Sequence, residues 1–244
     1  MNTDRYWFHV PEVGGVGGKI SLPVDQAHHA RSVLRLGSGT AVVIFDGQGT
    51  WTEGTLQTVG KRGAEVLVAG AIHTEVLPVR KVMLATAVPK GERAEWLIEQ
   101  ASQLNVWCVQ WLECDRGVAK PGSTSGKIEK WRRLAVESAK QCGRSWVMQV
   151  EPLTPLEVVL AGARARGARI LWLEPRAEQA LLKILPDLAG ATEVVALIGP
   201  EGGWSARETA LLSGELKIVG ARLTPTVLRI ETACAAVAAV LNCG

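Results

Sequence analysis

The sequence IGPEGGWS, residues 198–205, lies between the apolar run VVAL and the polar segment ARE. Glycine adopts positive φ at little cost and lets a ligand approach the backbone, so a glycine-rich turn after a buried strand can hold a nucleotide-like group. It can equally serve only to reverse the chain. The spacing is not G-x-G-x-x-G and the lysine of a phosphate loop is missing, so the motif indicates neither a dinucleotide nor a triphosphate site.

Two acidic side chains near this loop have separate predicted roles. Ser205 and Glu208 have the S-x-x-E spacing of a capping box, which predicts that the loop leads into a helix. Glu201 lies inside the loop and outside that capping pair. Its carboxylate could take part in catalysis, but we assign it first to hydrogen bonds with the loop amides, which would lock the turn.

The region from Lys81 onward alternates apolar strand-like runs with amphipathic helices. Strands are predicted at 82–88, 107–112, 147–150, 169–173 and 194–198. Thr154, Pro155 and Glu157 predict a helix start, as N-cap, N1 proline and capping-box acid. This order predicts an α/β fold with a mainly parallel sheet and helices on both faces. The loop IGPEGG then lies at the carboxyl edge of the sheet, where open α/β sheets bind ligands.

The N-terminal part of the chain is instead rich in Gly and Thr, with short alternating segments such as TAVVIFDG and TWTEGTL. This pattern predicts a small β-barrel or sandwich. One short helix is predicted in DQAHHARSVLRLG, ending at Gly37. The composition changes around Pro78, and we place the boundary near residue 75, which gives domains 1–74 and 75–244.

Composition excludes several classes of protein. With 244 residues, 47% hydrophobic and 21% charged, the chain has the composition of a folded globular protein. No apolar run approaches the roughly 20 residues that span a bilayer, and the N-terminus lacks the pattern of a secretion signal. We therefore expect a cytoplasmic protein with no membrane partner. The five cysteines have no CxxC or Cys/His spacing, which predicts reduced thiols and no metal site.

A basic block lies between Arg116 and Arg144, with eight basic and two acidic residues. Most of it falls on a predicted helix at about 127–142. The helical spacing turns Ile128, Trp131, Ala135 and Ala139 inward and leaves Lys130, Arg132, Arg133 and Lys140 outward. Such a block either binds phosphates or is a solvated helix face.

Two further helices have unusual faces. The last one, ETACAAVAAVLN at 231–242, is apolar almost all round, which predicts burial in its own domain or against a second subunit. Trp96, in contrast, points away from the apolar face of its helix. A second packing surface explains that position as well as RNA contact does.

Four segments match the signature segments of one family in order and spacing: AVPKGERAEWLIEQASQLNV, KWRRLAVESAKQCGRSWV, LIGPEGGWSARE and VLRIETA. They resemble the RsmE family, the 16S ribosomal RNA uridine-N3 methyltransferases of the SPOUT superfamily. The segment HHARSVLRLGSGTAVVIFDGQG resembles the PUA-like RNA-binding domain of that family. The resemblance covers nearly the whole chain.

The resemblance implies a catalytic domain whose C-terminal part forms a trefoil knot that binds S-adenosylmethionine. It also implies a homodimer through the C-terminal helix region, with the active site at the interface. Three loops would bind the cofactor: Leu173, Glu174 and Pro175; Ile198, Gly199, Pro200, Glu201, Gly202 and Gly203; and Leu223 to Leu228 followed by Arg229. The substrate would be a uridine in the decoding region of 16S rRNA, either free or assembled in the small ribosomal subunit.

Uracil N3 must lose a proton when it is methylated, so a base or a cation that stabilises the anionic ring would help. The candidate catalytic residues are Arg144, Arg229 and Glu231. Arg144 could stabilise the uracil oxygens or bind a phosphate. Glu231 could orient a partner, although its position at a helix start indicates capping first. The candidates for RNA binding are Arg93, Lys130, Arg132, Arg133 and Arg144.

The segment before the last helix departs from the family pattern. It reads LTPTVLRIET, with Thr224 and Thr226 in the places of a Gly and an Arg, and Ile230 in that of a Thr. If these side chains contact the cofactor, its affinity changes, whereas backbone contacts would survive. Two other functions stay open: a catalytically inactive RNA-binding protein of the same fold, and an α/β enzyme that uses a different nucleotide.

Overall fold

The computed structural model describes residues 5–60 and 63–243. By its internal contacts the chain divides into two units. The first comprises the described residues of Met1–Leu77 together with Val136–Val147, and the second comprises Pro78–Ala135 with the described residues of Met148–Gly244. The boundary between residues 74 and 75 stays a prediction. Residues 1–4, 61, 62 and 244 of the predicted domains lie outside the described residues. Val136–Val147, placed by the sequence in the second domain, belongs by contact to the first unit.

The first unit contains one sheet with the strand order β1-β3-β4-β5-β2, and β6 pairs with β4. Its strands are β1 (Tyr6–His9), β2 (Lys19–Ser21), β3 (Ala41–Phe45), β4 (Thr50–Gly60), β5 (Gly63–Val68) and β6 (His73–Thr74). Only β1 and β3 pair in parallel; the other neighbours are antiparallel. The predicted β-rich N-terminal part is therefore confirmed.

Alternating side chains of this sheet form a core with the short helix α1 (Val24–His28). Phe8, Ile44, Leu56 and Val66 are fully buried there, as the period of two of a half-buried strand requires. Helix α1 continues as a π-helical turn over His29–Val33. It ends before Gly37, because Arg35 already adopts a left-handed φ of 54°.

The second unit contains a sheet in which every neighbouring pair of strands is parallel, in the order β12-β10-β11-β7-β8-β9. Its strands are β7 (Lys81–Ala87), β8 (Cys108–Glu113), β9 (Gln149–Pro155), β10 (Arg169–Leu173), β11 (Glu193–Ile198) and β12 (Val219–Ala221). The α/β fold with a mainly parallel sheet is confirmed. The sequence missed only β12, which has three residues and no apolar run long enough to stand out.

The strand order reverses within this sheet. The chain runs outward from β7 through β8 to β9 and then continues on the other side of β7, with β11 next to it and β10 beyond. Loops at the carboxyl ends diverge at such a switch point, which opens a crevice for a ligand. The loop IGPEGGWS follows β11 and therefore lies at this edge.

The residues described from 63 to 243 contain six further α-helices: α2 (Arg93–Gln103), α3 (Ser125–Cys142), α4 (Leu156–Ala165), α5 (Leu181–Ile184), α6 (Ala206–Thr209) and α7 (Ile230–Asn242). As the spacing predicts, α2 buries Ala94, Leu97, Ile98 and Ala101. Helix α7 packs on β7, β11 and α2, so much of its apolar surface is covered within its own unit. A half-buried stripe is left on α7 at Ala235, Ala236, Ala239 and Val240.

Two local predictions are wrong. Helix α4 has Pro155 as its N-cap, because β9 extends to that residue and the Thr154 hydroxyl instead donates to Pro152 O, 3.0 Å away. Lys140 does not point outward on α3 but is 8% exposed. Its Nζ lies 2.9 Å from both carboxylate oxygens of Glu137, and an ion pair of this kind lets a lysine be buried.

Candidate active site

Three loops of the second unit enclose a cavity of about 770 Å³ at the carboxyl ends of β10, β11 and β12. All the residues that the sequence assigned to the cofactor line this cavity, except Arg229. The sequence did not predict several others: Arg116, Trp172, Arg176, Trp204, Thr209, Ala221 and Ala233. Most of these belong to the same loops or to strand ends beside them, whereas Arg116 comes from the loop after β8.

The loop after β11 is shaped by its glycines and by Trp204. Gly203 has a φ of 71°, and its amide donates to Pro200 O at 2.8 Å, which closes a tight turn. A Cβ on Gly199 would lie 2.7 Å from Cε2 of Trp204, so only glycine lets the indole pack against this backbone. Trp204 is buried, and its Nε1 donates to Leu173 O at 3.4 Å. The indole thus joins two of the three loops.

Arg116 fastens this loop from a second side. Its guanidinium donates to Gly202 O at 3.1 Å and to Trp204 O at 3.3 Å. Both acceptors are main-chain carbonyls of the glycine-rich loop. Arg116 therefore fixes the path of the loop, a role that its place in the basic block did not reveal.

The helix that follows the loop has the predicted capping box. The Glu208 amide donates to Ser205 Oγ at 3.1 Å, and Glu208 Oε2 accepts from the Ser205 amide at 2.8 Å. Glu208 is fully buried, and its other oxygen accepts from the Asp115 amide at 3.0 Å. Arg207 donates to the Asp115 carboxylate at 2.8 Å. The loop after β8 therefore holds the glycine-rich loop on both sides of Ser205.

These bonds set the charge state of Asp115. Hydrogen bonds from Arg207 and Ser205 lower the pKa of Asp115 to about 2, and the same pairing raises the pKa of Arg207. Both groups are therefore charged across the range in which folded proteins usually work.

The third loop, after β12, is closed by its own threonines. Thr224 Oγ1 donates to Thr226 O at 2.8 Å, so this hydroxyl, one of the departures from the family pattern, satisfies its own turn. At the base of the same loop, Arg222 donates to Ala177 O at 2.8 Å. This bond ties the loop after β12 to the loop after β10.

Glu201 does not lock its loop through backbone amides, and that prediction is wrong. Its Oε1 accepts from Arg93 at 2.7 Å, and its Oε2 lies 3.5 Å from Lys90 Nζ. Both cations stand at the start of α2. The carboxylate points away from the turn because these two positive charges lie within reach of it.

A second cavity, of about 590 Å³, lies at the carboxyl end of β7 between the starts of α2 and α7. It is lined by residues 90–93 together with Trp96, Arg229, Glu231 and Thr232. The structure thus brings together three residues that the sequence singled out: Arg93, Arg229 and Glu231.

Glu231 is not the cap of α7, which has Arg229 at its N-cap position and no side-chain cap bond. The Glu231 side chain is 9% exposed, and its Oε1 lies 3.9 Å from Arg93 Nη1. Its Oε2 has no hydrogen-bond partner within the described part of the chain. The capping role assigned to Glu231 is therefore wrong.

The predicted RNA-binding residues are distributed over both units. Lys130 lies 2.5 Å from Glu95 Oε1, and Arg132 lies 2.7 Å from Glu129 Oε1, whereas Arg133 is exposed with no ion-pair partner in the ranges 5–60 and 63–243. Arg144 belongs to the first unit, where burial lowers the pKa of its guanidinium.

The described residues offer neither a metal site nor a reactive thiol at the cavities. No group of three or more metal-ligating side chains occurs among them. Burial raises the pKa of Cys234, on α7, to about 12, so this thiol stays protonated. Within the described ranges, no helix is both long and apolar enough to cross a membrane.

Comparisons with known proteins agree with this architecture. A family model for the RNA methyltransferase domain matches residues 75–242, and one for the RNA methyltransferase PUA domain matches residues 22–69. A ribosomal RNA small subunit methyltransferase E from Mycobacterium bovis is 31% identical over 93% of this chain and 87% of its own length.

Two solved structures have the same fold. One, from Legionella pneumophila, is assigned as a methyltransferase and has bound S-adenosylmethionine. It is 27% identical to this chain, with a TM-score of 0.87, and the match covers 98% of this chain and 97% of the other. The other is a ribosomal RNA small subunit methyltransferase E from Neisseria gonorrhoeae bound to S-adenosylmethionine, 23% identical, with a TM-score of 0.87 over 97% and 96% of the two chains.

The second unit, with its three loops at the carboxyl edge of a parallel sheet, is thus an RNA methyltransferase domain, accompanied by a PUA-like N-terminal domain. More narrowly, the chain belongs to the ribosomal RNA small subunit methyltransferase E family.

Proposed function

We propose that this protein transfers a methyl group from S-adenosylmethionine to N3 of a specific uridine in the decoding region of 16S rRNA. The observation that carries the proposal is the 770 Å³ cavity, whose walls are the three loops that the family resemblance assigns to the cofactor. Membership of the family supports an rRNA substrate. The choice of uridine N3 rests on the resemblance of the sequence motifs.

The cavity has the size and chemistry to hold S-adenosylmethionine. Its volume lies within the range of about 300–1,000 Å³ that ligand sites occupy. Apolar walls suited to an adenine ring come from Leu173, Ile198, Leu223 and Leu228. Trp172, a buried side chain of the same wall, adds an aromatic surface. Glu174 supplies a carboxylate for a positively charged ligand, whereas the Glu201 carboxylate is already paired with Arg93 and Lys90.

The bound cofactor supplies a methyl group on a sulfonium, which a nucleophile attacks in line. The residues of this chain have to align the acceptor base with that methyl group and accept the proton that leaves uracil N3. Arg229 is suited to stabilise negative charge on the uracil oxygens, and Glu231 to accept the proton. Arg144 is proposed to bind RNA phosphate or uracil oxygens, together with Arg93, Lys130, Arg132 and Arg133.

The proposal includes the family's trefoil knot, a homodimer through α7 and a cytoplasmic location. Support for the dimer comes from the half-buried apolar stripe on α7, which a second subunit would cover. Support for the knot comes from family membership and from a strand order in which β10 and β12 lie beyond β11. The substrate is free 16S rRNA or the assembled small subunit.

Two measurements test the proposed function. Calorimetric titration with S-adenosylmethionine should give saturable binding at one site per chain; if no binding heat and no thermal shift appear, the proposal is wrong. Mapping of methylated uridines in 16S rRNA from cells with and without the protein should then reveal one N3-methylated position that depends on it. Binding of RNA without any methylation would instead support the inactive RNA-binding protein.

A further inference from the structure

We infer that the second cavity, between the starts of α2 and α7, is the site for the acceptor nucleotide, and that Trp96 is its stacking platform. This inference rests on the proposed function. Arg93, Arg229 and Glu231 are already candidates from the sequence motifs. The inference adds Trp96 and the cavity in which these residues receive a single base flipped out of the RNA.

The second cavity lies beside the first, because the two share a wall. Arg93 lines the second cavity and donates to Glu201, which lines the first. On α7, Ile230 faces the first cavity while its neighbours Arg229 and Glu231 face the second. A methyl transfer requires donor and acceptor sites that adjoin, because the reacting atoms must come within about 3–3.5 Å. The two cavities have this arrangement.

The chemistry of the lining fits a pyrimidine nucleotide. Trp96 is 43% exposed although it is a large apolar side chain, so one face of its indole is open to a planar base. Stacking of a base on an aromatic side chain contributes about 1–3 kcal/mol. Lys90, Arg93 and Arg229 add cations for a phosphate or for uracil carbonyls. A volume of about 590 Å³ suffices for one nucleotide.

Glu231 lines the same cavity. Its side chain is more than nine-tenths buried, and Oε2 lacks a donor within the described residues. A buried carboxylate oxygen without a donor is costly. Oε2 is shielded from solvent, so the Glu231 side chain has to turn toward the cavity that it lines to accept a ligand N–H, and that bond would then remove the cost. Uracil has such a group at N3, whereas cytosine does not. The cavity therefore favours uridine over cytidine, and Glu231 sets that preference.

The inference is tested by steady-state methylation of small ribosomal subunits that lack the modification. Trp96→Ala should lower kcat/KM at least tenfold, and Trp96→Phe should retain most of it, because phenylalanine keeps a stacking face. The affinity for S-adenosylmethionine, measured by calorimetry, should change less than twofold in both variants. Val158→Ala, at an exposed apolar position on α4, is the matched control and should behave as wild type.

A readout independent of turnover uses 16S rRNA transcribed with 4-thiouridine and irradiated in the presence of the protein. Mass spectrometry should locate a crosslink at Trp96, and Glu231→Gln should reduce the preference of the protein for uridine over cytidine at the target position. The inference is overturned if kcat/KM of Trp96→Ala stays within twofold of wild type. It is also overturned if Trp96→Ala becomes monomeric in light scattering, since the tryptophan is then a subunit contact.

The two proposals fail in different ways. If the wild-type protein binds no S-adenosylmethionine, the proposed function itself is wrong. If the wild type binds the cofactor and methylates rRNA, but the Trp96 and Glu231 variants behave as wild type, only the acceptor site is wrong.

Discussion

At the scale of single residues, the active site depends on contacts that lie well apart in the sequence. Arg116 and Gly202 are joined by a side-chain bond to a main-chain carbonyl, and no local pattern links the two positions. Glu201 pairs with Arg93 across a similar separation. Residue type alone therefore identified the charged groups near the site but not their partners.

Arg116→Ala should weaken S-adenosylmethionine binding by roughly tenfold, because two carbonyls of the glycine-rich loop lose their donor and the loop loses its fixed path. Calorimetric titration measures the effect. Arg116→Lys should restore part of the affinity. The matched control is Arg164→Ala, since Arg164 makes a similar 2.8 Å bond to Leu216 O but does not line the cavity. Equal losses in the two variants would contradict the role of Arg116.

Asp115 should make stability depend on pH in acid. Its pKa is about 2 in the folded protein and close to 3.8 when unpaired, so the pairing stabilises the fold above about pH 4 and this contribution is lost as the pH falls toward 2. Urea unfolding of wild type and Asp115→Asn should show a difference in the free energy of unfolding that is constant between pH 5 and 7 and shrinks below pH 4. A difference that is the same at every pH would refute the assignment.

At the scale of elements, the loop after β11 and helix α6 depend on each other for their conformation. The capping box ends the loop at Ser205, and Trp204 packs where Gly199 leaves no room for a side chain. The sequence predicted the capping box because its two partners are three residues apart. It did not predict the contact between Gly199 and Trp204, which depends on how the turn folds back.

Gly199→Ala should lower both stability and S-adenosylmethionine affinity, the latter at least tenfold, because the new Cβ would lie 2.7 Å from the Trp204 ring and displace it. Thermal unfolding and calorimetry measure the two effects. Gly214→Ala is the control, since a Cβ there meets nothing within 4 Å. If Gly199→Ala binds the cofactor like wild type, Trp204 does not shape the cavity.

At the scale of the whole molecule, two surfaces are expected to meet other molecules. One is the half-buried apolar stripe on α7, and the other is the exposed basic face of α3 around Arg133. Ion pairs occupy Lys130 and Arg132 on α3, whereas Arg133 and Lys127 are exposed and form no ion pair within the described residues, so these two cations are available to a phosphate.

Ala239→Glu should convert the proposed homodimer to a monomer, because a carboxylate would be buried against the second subunit without a partner. Light scattering after size-exclusion chromatography measures the mass. Val158→Glu adds the same charge on the exposed face of α4 and should leave the dimer intact. A dimer that survives Ala239→Glu would place the interface elsewhere.

Arg133→Gln should weaken RNA binding and reduce the slope of log K against log salt concentration by about one unit, as expected for the loss of a single phosphate contact. Filter binding at several salt concentrations measures the slope. Arg169→Gln removes an exposed cation at the start of β10, away from both cavities, and should leave the slope unchanged.

The sequence by itself determined the structural features that depend on residues close to one another along the chain. The alternation of strands and helices, the apolar face of α2 and the capping box at Ser205 all follow from periods of a few residues, and the structure contains them. The resemblance of the motifs supplied the three loops, which line one cavity. Glu201 and Glu231 were assigned wrongly because the cations near them lie far away along the chain. Lys140 pairs with Glu137 only three residues away, and it was assigned wrongly because helical spacing does not show which residues pack over that face, among them the ring of Phe8.

Only the tertiary structure decided how distant residues meet. Parallel pairing places the ends of β10, β11 and β12 side by side and so closes the first cavity. The packing of α2 beside α7 forms the second cavity and leaves Glu231 with an oxygen that lacks a donor. The physical reason is that residues from separate parts of the chain come together at the carboxyl edge of a sheet. Their charged groups then pair with whichever opposite charges are close in space, whatever the separation in sequence.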